Sequence, residues 1–137
     1  MSAFGSSEEL SKLMVQLWEA IRNDPGMSAK ILDSKLVARF QYREPAAAIT
    51  VDCSDGKTFN IYAGECAPKP TVEMAMTADL AHEFWNGKVS IPLNILTGKI
   101  VAKGPVNKAL ALLPVIKPAF DIYPALYAAR NTKAVVS

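Results

Sequence analysis

The sequence predicts an α+β fold: a five-stranded, mainly antiparallel sheet with helices covering one face. Two observations lead there. Three consecutive segments between residues 36 and 63 alternate between apolar and polar side chains and are joined by turn-forming residues, giving an antiparallel meander with one greasy side. Before and after them, apolar residues recur at helical spacing, which supplies the layer that must cover that side. At 137 residues, with 50% apolar and 20% charged, the chain reads as one domain able to bury a core.

The first helix opens at Ser6-Ser7-Glu8-Glu9, a serine cap followed by acids in the first turn. Leu10, Leu13, Met14, Leu17, Trp18 and Ile21 form its apolar stripe, and Asp24-Pro25-Gly26 ends it. A short helical turn near residues 28–32 completes the N-terminal helical part, residues 1–33. Strand one, residues 36–42, turns Leu36, Ala38, Phe40 and Tyr42 one way and Arg39 and Gln41 the other. Strand two, residues 47–53, does the same with Ala47, Ile49, Val51 and Cys53 against Thr50 and Asp52. In strand three, residues 58–63, the apolar set is Phe59, Ile61 and Ala63. Arg43-Glu44-Pro45 and Ser54-Asp55-Gly56-Lys57 supply the turns, and Ala67-Pro68-Lys69-Pro70 is an irregular connection.

Residues 71–77 alternate again, with Val72, Met74 and Met76 on one face. Thr77 then caps a helix carrying Asp79 near its positive end and Leu80, Phe84 and Trp85 on its apolar side. Gly87 stops it. Ser90 and Pro92 open a second short helix that Gly98 closes. A basic strand, residues 99–103, runs through Gly104-Pro105 into a third helix with Val106, Ala109, Leu110 and Leu113 on one side. Pro114, Pro118 and Pro124 interrupt the remainder, residues 114–137, among Phe120, Ile122, Tyr123, Leu126 and Tyr127. An interior proline costs a helix about 3 kcal/mol, so kinked or separate turns are expected there instead of one rod. Such a segment suits a cover over a cavity mouth, an extra packing layer or a dimer contact.

The chain is poor in catalytic material. Its lone histidine, His82, sits one turn from Asp79, but no third ligand has metal-site spacing, so a surface histidine is expected and no metal. No nucleophile elbow, phosphate loop or dinucleotide fingerprint is present, and no cofactor is expected. Asp33-Ser34-Lys35-Leu36 only faintly resembles the Asp-Ser-Leu of acyl carrier proteins, which are acidic helical bundles. A formal charge of +2 without a basic block gives no footprint for nucleic acid. Cys53 and Cys66 are expected as free thiols. With no export signal, no membrane-length apolar run and no C-terminal peroxisomal address, a cytoplasmic setting is expected.

The run from Thr71 to Leu113 carries a resemblance. A strand leading into an Asp-Leu helix (Asp79-Leu80), the Gly-Lys pairs at 87–88 and 98–99, a strand ending at Gly104 and an Ala/Leu-rich helix occur in that order. In this it resembles the sterol carrier protein type-two family, with the match extending over residues 36–113. The resemblance implies that strands four and five join the sheet through a crossover formed by the two short helices. It also implies that the apolar face encloses a lipid cavity, where the residues alone allow a solid core equally well. On that reading the ligand-binding candidates are Met14, Trp18, Phe40, Met74, Met76, Phe84, Trp85, Leu93, Asn94, Leu96, Thr97, Leu110, Leu113 and Phe120. The family usually carries Asn-Pro-Gln and a late Gln between the Gly-Lys pairs. Here residues 89–97 read VSIPLNILT, which leaves Asn94 and Thr97 as the polar candidates.

The function so implied is non-catalytic binding and transfer of a fatty acid, fatty acyl-CoA or sterol-like lipid by a monomer or homodimer, with transient contact at a membrane surface. Lys88, Lys99, Lys103, Lys108 and Lys117 would then meet anionic head groups. Two alternatives stand beside it: an enzyme or enzyme accessory module acting on a hydrophobic substrate, and a protein-interaction or oligomerisation module using the proline-broken C-terminal segment.

Overall fold

The computed structural model describes the backbone of residues 3–64 and 68–136 and the side chains up to Arg130, so Cys66 and Ala67 lie outside the described residues. Helix α1 (Ser7–Asn23) starts on the Ser6 hydroxyl, which accepts from the Glu9 N–H at 3.1 Å, and buries its whole stripe from Leu10 to Ile21. Each such aliphatic side chain contributes about 1.5–3 kcal/mol of burial. Asp24 does not simply end the helical path. Its N–H bonds the Ile21 carbonyl while its carboxylate accepts from the Met27 N–H, so the residue that stops α1 also caps α2 (Pro25–Ser34). Pro25 occupies the first turn of α2, where a missing N–H is harmless. The expected short turn is thus a ten-residue helix.

Strands β1 (Val37–Arg43), β2 (Ala47–Asp52) and β3 (Asn60–Ala63) form the antiparallel meander. The chain then crosses back so that β4 (Val72–Thr77) lies beside β1 in parallel, and β5 (Val101–Lys103) pairs antiparallel with β4 at the edge. The order is β3-β2-β1-β4-β5: five strands, mainly antiparallel, with one parallel pairing. Between β4 and β5 run α3 (Ala78–Trp85), capped by Thr77, and α4 (Ile91–Leu96), capped by Ser90. After β5 come α5 (Val106–Leu110), a series of turns, and α6 (Ala119–Val136).

One face of the sheet meets the helices. Across the other runs a polar row, Tyr62, Thr50, Arg39, Glu73 and Lys103, paired strand to strand. Thr50, expected on the wet face, is fully buried. Arg39 lies over it, donating from Nε to its hydroxyl at 3.3 Å and reaching Glu73 at 3.8 Å.

The C-terminal segment departs from the expectation of broken turns. Pro114 and Pro118 fall in the turns before α6, but Pro124 sits inside a continuous helix. Pro124 is exposed, while Ala119 and Tyr123 of the same helix are fully buried, so the packing of the inner side offsets the hydrogen bond that the proline removes. Contacts to the N-terminus hold the helix down. Arg130 pairs with Glu9 at 2.8 Å and lies 3.6 Å over the Tyr127 ring, while the Tyr127 hydroxyl donates to the Ala3 carbonyl at 2.6 Å.

Candidate functional site

Between sheet and helices lies an apolar cavity of about 80 Å³. Its floor is the apolar parity of the sheet: Leu36, Ala38, Phe40 and Tyr42 along β1, Val51 and Cys53 beside them, and Met74 and Met76 on β4. Trp18 of α1, Ile31 and Ser34 of α2, and Ala81, Phe84 and Trp85 of α3 form the walls. Ile91 of α4, Ala109 of α5 and Leu112, Leu113 and Ile116 of the following turns close it. Aromatic contacts stiffen the lining. Trp18 stacks on Phe40 with centroids 5.4 Å apart and meets Trp85 edge-on at 5.7 Å.

Among the described residues, no Asp, Glu, Lys, Arg or His lines the cavity. Its polar groups are all held neutral or internally bonded. Burial pushes the Tyr42 phenol far up, against a hydrogen bond from the Trp85 indole that pulls the other way. Burial, then the carboxylates of Asp52 and Asp55, pushes the Cys53 thiol up to about 12, so it is no thiolate nucleophile at neutral pH. The Ser34 hydroxyl donates to the Ile31 carbonyl at 2.6 Å as part of the α2 terminus. The Trp18 Nε1–H is buried without a partner.

Of the sequence candidates, the structure brings Trp18, Phe40, Met74, Met76, Phe84, Trp85 and Leu113 together around the cavity. Met14 is fully buried in the core but off the cavity. Leu110 packs half-buried on the core, and Phe120 meets Phe84 edge-on at 5.3 Å from outside the lining. Leu93 and Leu96 point to solvent, 57% and 83% exposed. Asn94 turns inward yet spends its amide on the Ser90 carbonyl at 2.6 Å, and the Thr97 hydroxyl donates to the Asn94 carbonyl at 3.4 Å. Sequence reasoning passed over Ile31, Leu112 and Ile116, which sit in elements without a legible period, and over Ala38, Tyr42 and Val51, which the strand parity already marked as inward.

His82 is half-buried, not a plain surface residue. Its Nδ1 lies 2.8 Å from the Tyr123 hydroxyl. Asn86 donates from Nδ2 to the His82 carbonyl at 3.0 Å and lies 3.2 Å from Nε2, so Nε2 accepts and the ring proton sits on Nδ1. Among the described residues no group of three or more His, Cys, Asp or Glu could hold a metal ion, and no helix is long and apolar enough to cross a membrane.

This architecture, a five-stranded sheet roofed by helices around an apolar interior, is the fold of sterol carrier protein 2 domains. Sterol carrier protein 2 from Yarrowia lipolytica, in its apo form, superposes with a TM-score of 0.67 at 18% identity, covering 85% of this chain and 94% of that one. Domain 2 of the Helicoverpa armigera sterol carrier protein gives 0.63 at 21% identity, covering 80% and 87%. A UbiJ-SCP2 ubiquinone synthesis protein gives 0.55 at 14% identity, covering 82% and 89%. No family model matches the sequence, and no curated protein matches it.

Proposed function

We propose that this protein binds a lipid in the cavity between sheet and helices and carries it through water without performing chemistry on it. The observation that carries this reading is the apolar lining, in which none of the described residues is Asp, Glu, Lys, Arg or His. Apolar burial at about 25 cal/mol per Å² would supply most of the affinity, before ordering costs. A charged head group buried there would go unpaired, so a carboxylate or phosphate stays at the mouth while the chain or ring system goes inside. Fatty acids, acyl-CoAs and sterol-like lipids all meet that rule. The names of the similar sterol carrier structures support the same class.

The test is native mass spectrometry of the purified protein with lipid extraction, followed by titration with a fluorescent fatty acid. A co-purified lipid or saturable uptake is expected. Ala38→Phe, which fills the cavity floor, should weaken uptake at least tenfold while costing about 1–3 kcal/mol of stability. Equal uptake by a folded Ala38→Phe variant would place the ligand elsewhere.

A second reading, presentation of a hydrophobic substrate to an enzyme, draws on the similar structure named as a ubiquinone synthesis protein. It uses the same cavity. An interaction module built on residues 114–127 has less support, because Ile116, Ala119 and Tyr123 of that segment face inward.

A further inference from the structure

From Phe84 to Phe120 the chain contains no Asp or Glu and five lysines, Lys88, Lys99, Lys103, Lys108 and Lys117, although the whole protein carries a formal charge of only +2. This acid-free stretch is also what closes the cavity, through Ile91, Ala109, Leu112, Leu113 and Ile116. In its middle stand Leu93, Leu96 and Val101, the exposed large hydrophobic side chains among the described residues. Leu93 and Leu96 are three residues apart and share the outward side of α4, opposite Ile91 and Asn94.

That orientation is fixed, not incidental. The Ser90 hydroxyl accepts from the Leu93 N–H at 3.3 Å, the buried Asn94 amide donates to the Ser90 carbonyl, and the Ile100 N–H donates to the Asn94 carbonyl at 3.0 Å. A buried, bonded asparagine therefore pins the turn that pushes two leucines into water.

We propose that α4 and the turn into β5 are a docking surface for an anionic lipid bilayer. Leu93 and Leu96 enter the interface, and Lys88 and Lys99, which flank α4, rest against the phosphates and carboxylates of the head groups. Isolated apolar knobs on a stretch of chain whose charged side chains are all lysines match a bilayer surface better than the flat, mixed surface of a protein partner. Asp79 and Glu83, which share a groove with Lys99, bound the patch on the α3 side. Asp79 is itself engaged by the Ala3 N–H at 2.8 Å. The proposal rests on the transfer reading for its purpose: Ile91, the inner side of the same turn, is cavity wall, so docking would bring that wall to the lipid.

The test is co-sedimentation with vesicles of phosphatidylcholine alone or mixed with phosphatidylserine, at low and high salt. Binding to the anionic vesicles should be at least tenfold tighter and should fall with salt. Leu93→Ser/Leu96→Ser should weaken it at least tenfold. Lys88→Gln/Lys99→Gln should remove the preference for anionic lipid. Neither leucine lines the cavity, so uptake of a fluorescent fatty acid in solution should be unchanged by the leucine pair. Absence of vesicle binding, or undiminished binding by both variants, overturns the dock. So does a dimer, seen by sedimentation velocity, that the leucine variant dissociates without any vesicle binding. A protein that docks but takes up no lipid refutes the transfer reading and leaves the dock standing.

Discussion

At the scale of single residues, His82 is where acidity should be felt. Burial lowers its pKa below the ordinary 6.5, helped by Arg130 and Lys88 and opposed by Glu83 and Asp79. Its Nε2 accepts from Asn86 while its Nδ1–H meets Tyr123, so a second ring proton would face the Asn86 donor. Tyr123 is fully buried and its own phenol is pushed far up by burial, so it stays neutral and cannot balance the charge. Because the folded pKa is depressed, the stability from neutral His82 is complete above about 6.5 and is lost as pH falls through the folded value. The midpoint of urea unfolding should therefore drop as pH is lowered across this range, and His82→Gln should flatten that slope. Identical slopes for the two proteins would show that His82 is not the titrating group.

At the scale of elements, the junction after β5 is the least tolerant place. Gly104 has φ +91°, and a Cβ there would lie 2.1 Å from the carbonyl oxygen of Thr71, the residue just before β4. Gly104→Ala should cost about 2–6 kcal/mol by combining backbone strain with overpacking, read as a fall in the denaturation midpoint. A loss under about 1 kcal/mol would mean that β5 can leave the sheet cheaply. Elements of this kind were legible to different degrees. The strands are legible because residue parity fixes which side faces in, and it puts Phe40, Met74 and Met76 on the covered face, where they line the cavity. Helix α2 was hidden because Asp24-Pro25 has the chemistry of both an end and a beginning. Pro124 is not legible as a helix residue because the burial of Ala119 and Tyr123, which offsets its lost hydrogen bond, is tertiary. On α4, six residues are too few to show a stripe, so nothing in the sequence told Ile91, turned inward, from Leu93 and Leu96, turned out.

At the scale of the molecule, the cavity is smaller than its proposed cargo. About 80 Å³ is roughly half the volume of an engineered pocket that admits benzene. A lipid can be housed only if the cover moves. The sheet is continuously hydrogen bonded and α6 is tied to the N-terminus through Arg130 and Tyr127, so the lighter pieces are α5 and the turns up to Ile116, where no residue of α5 is buried. Uptake should then be limited by opening. In stopped-flow mixing with a fluorescent fatty acid, the observed rate should level off as ligand concentration rises. A rate that climbs linearly to the highest concentration would mean that no opening step intervenes.

The sheet's two margins have a further consequence. The outermost strands are short, four residues in β3 and three in β5, and β5 gives way at once to Gly104-Pro105, where proline offers no N–H. Lys103 stands at that margin and Lys99 just before it. A neighbouring chain seeking to extend the sheet would find a brief, charged template that stops in proline. The margin thereby keeps the backbone of one copy from pairing with another, and lengthening or neutralising β5 is the change most apt to promote aggregation.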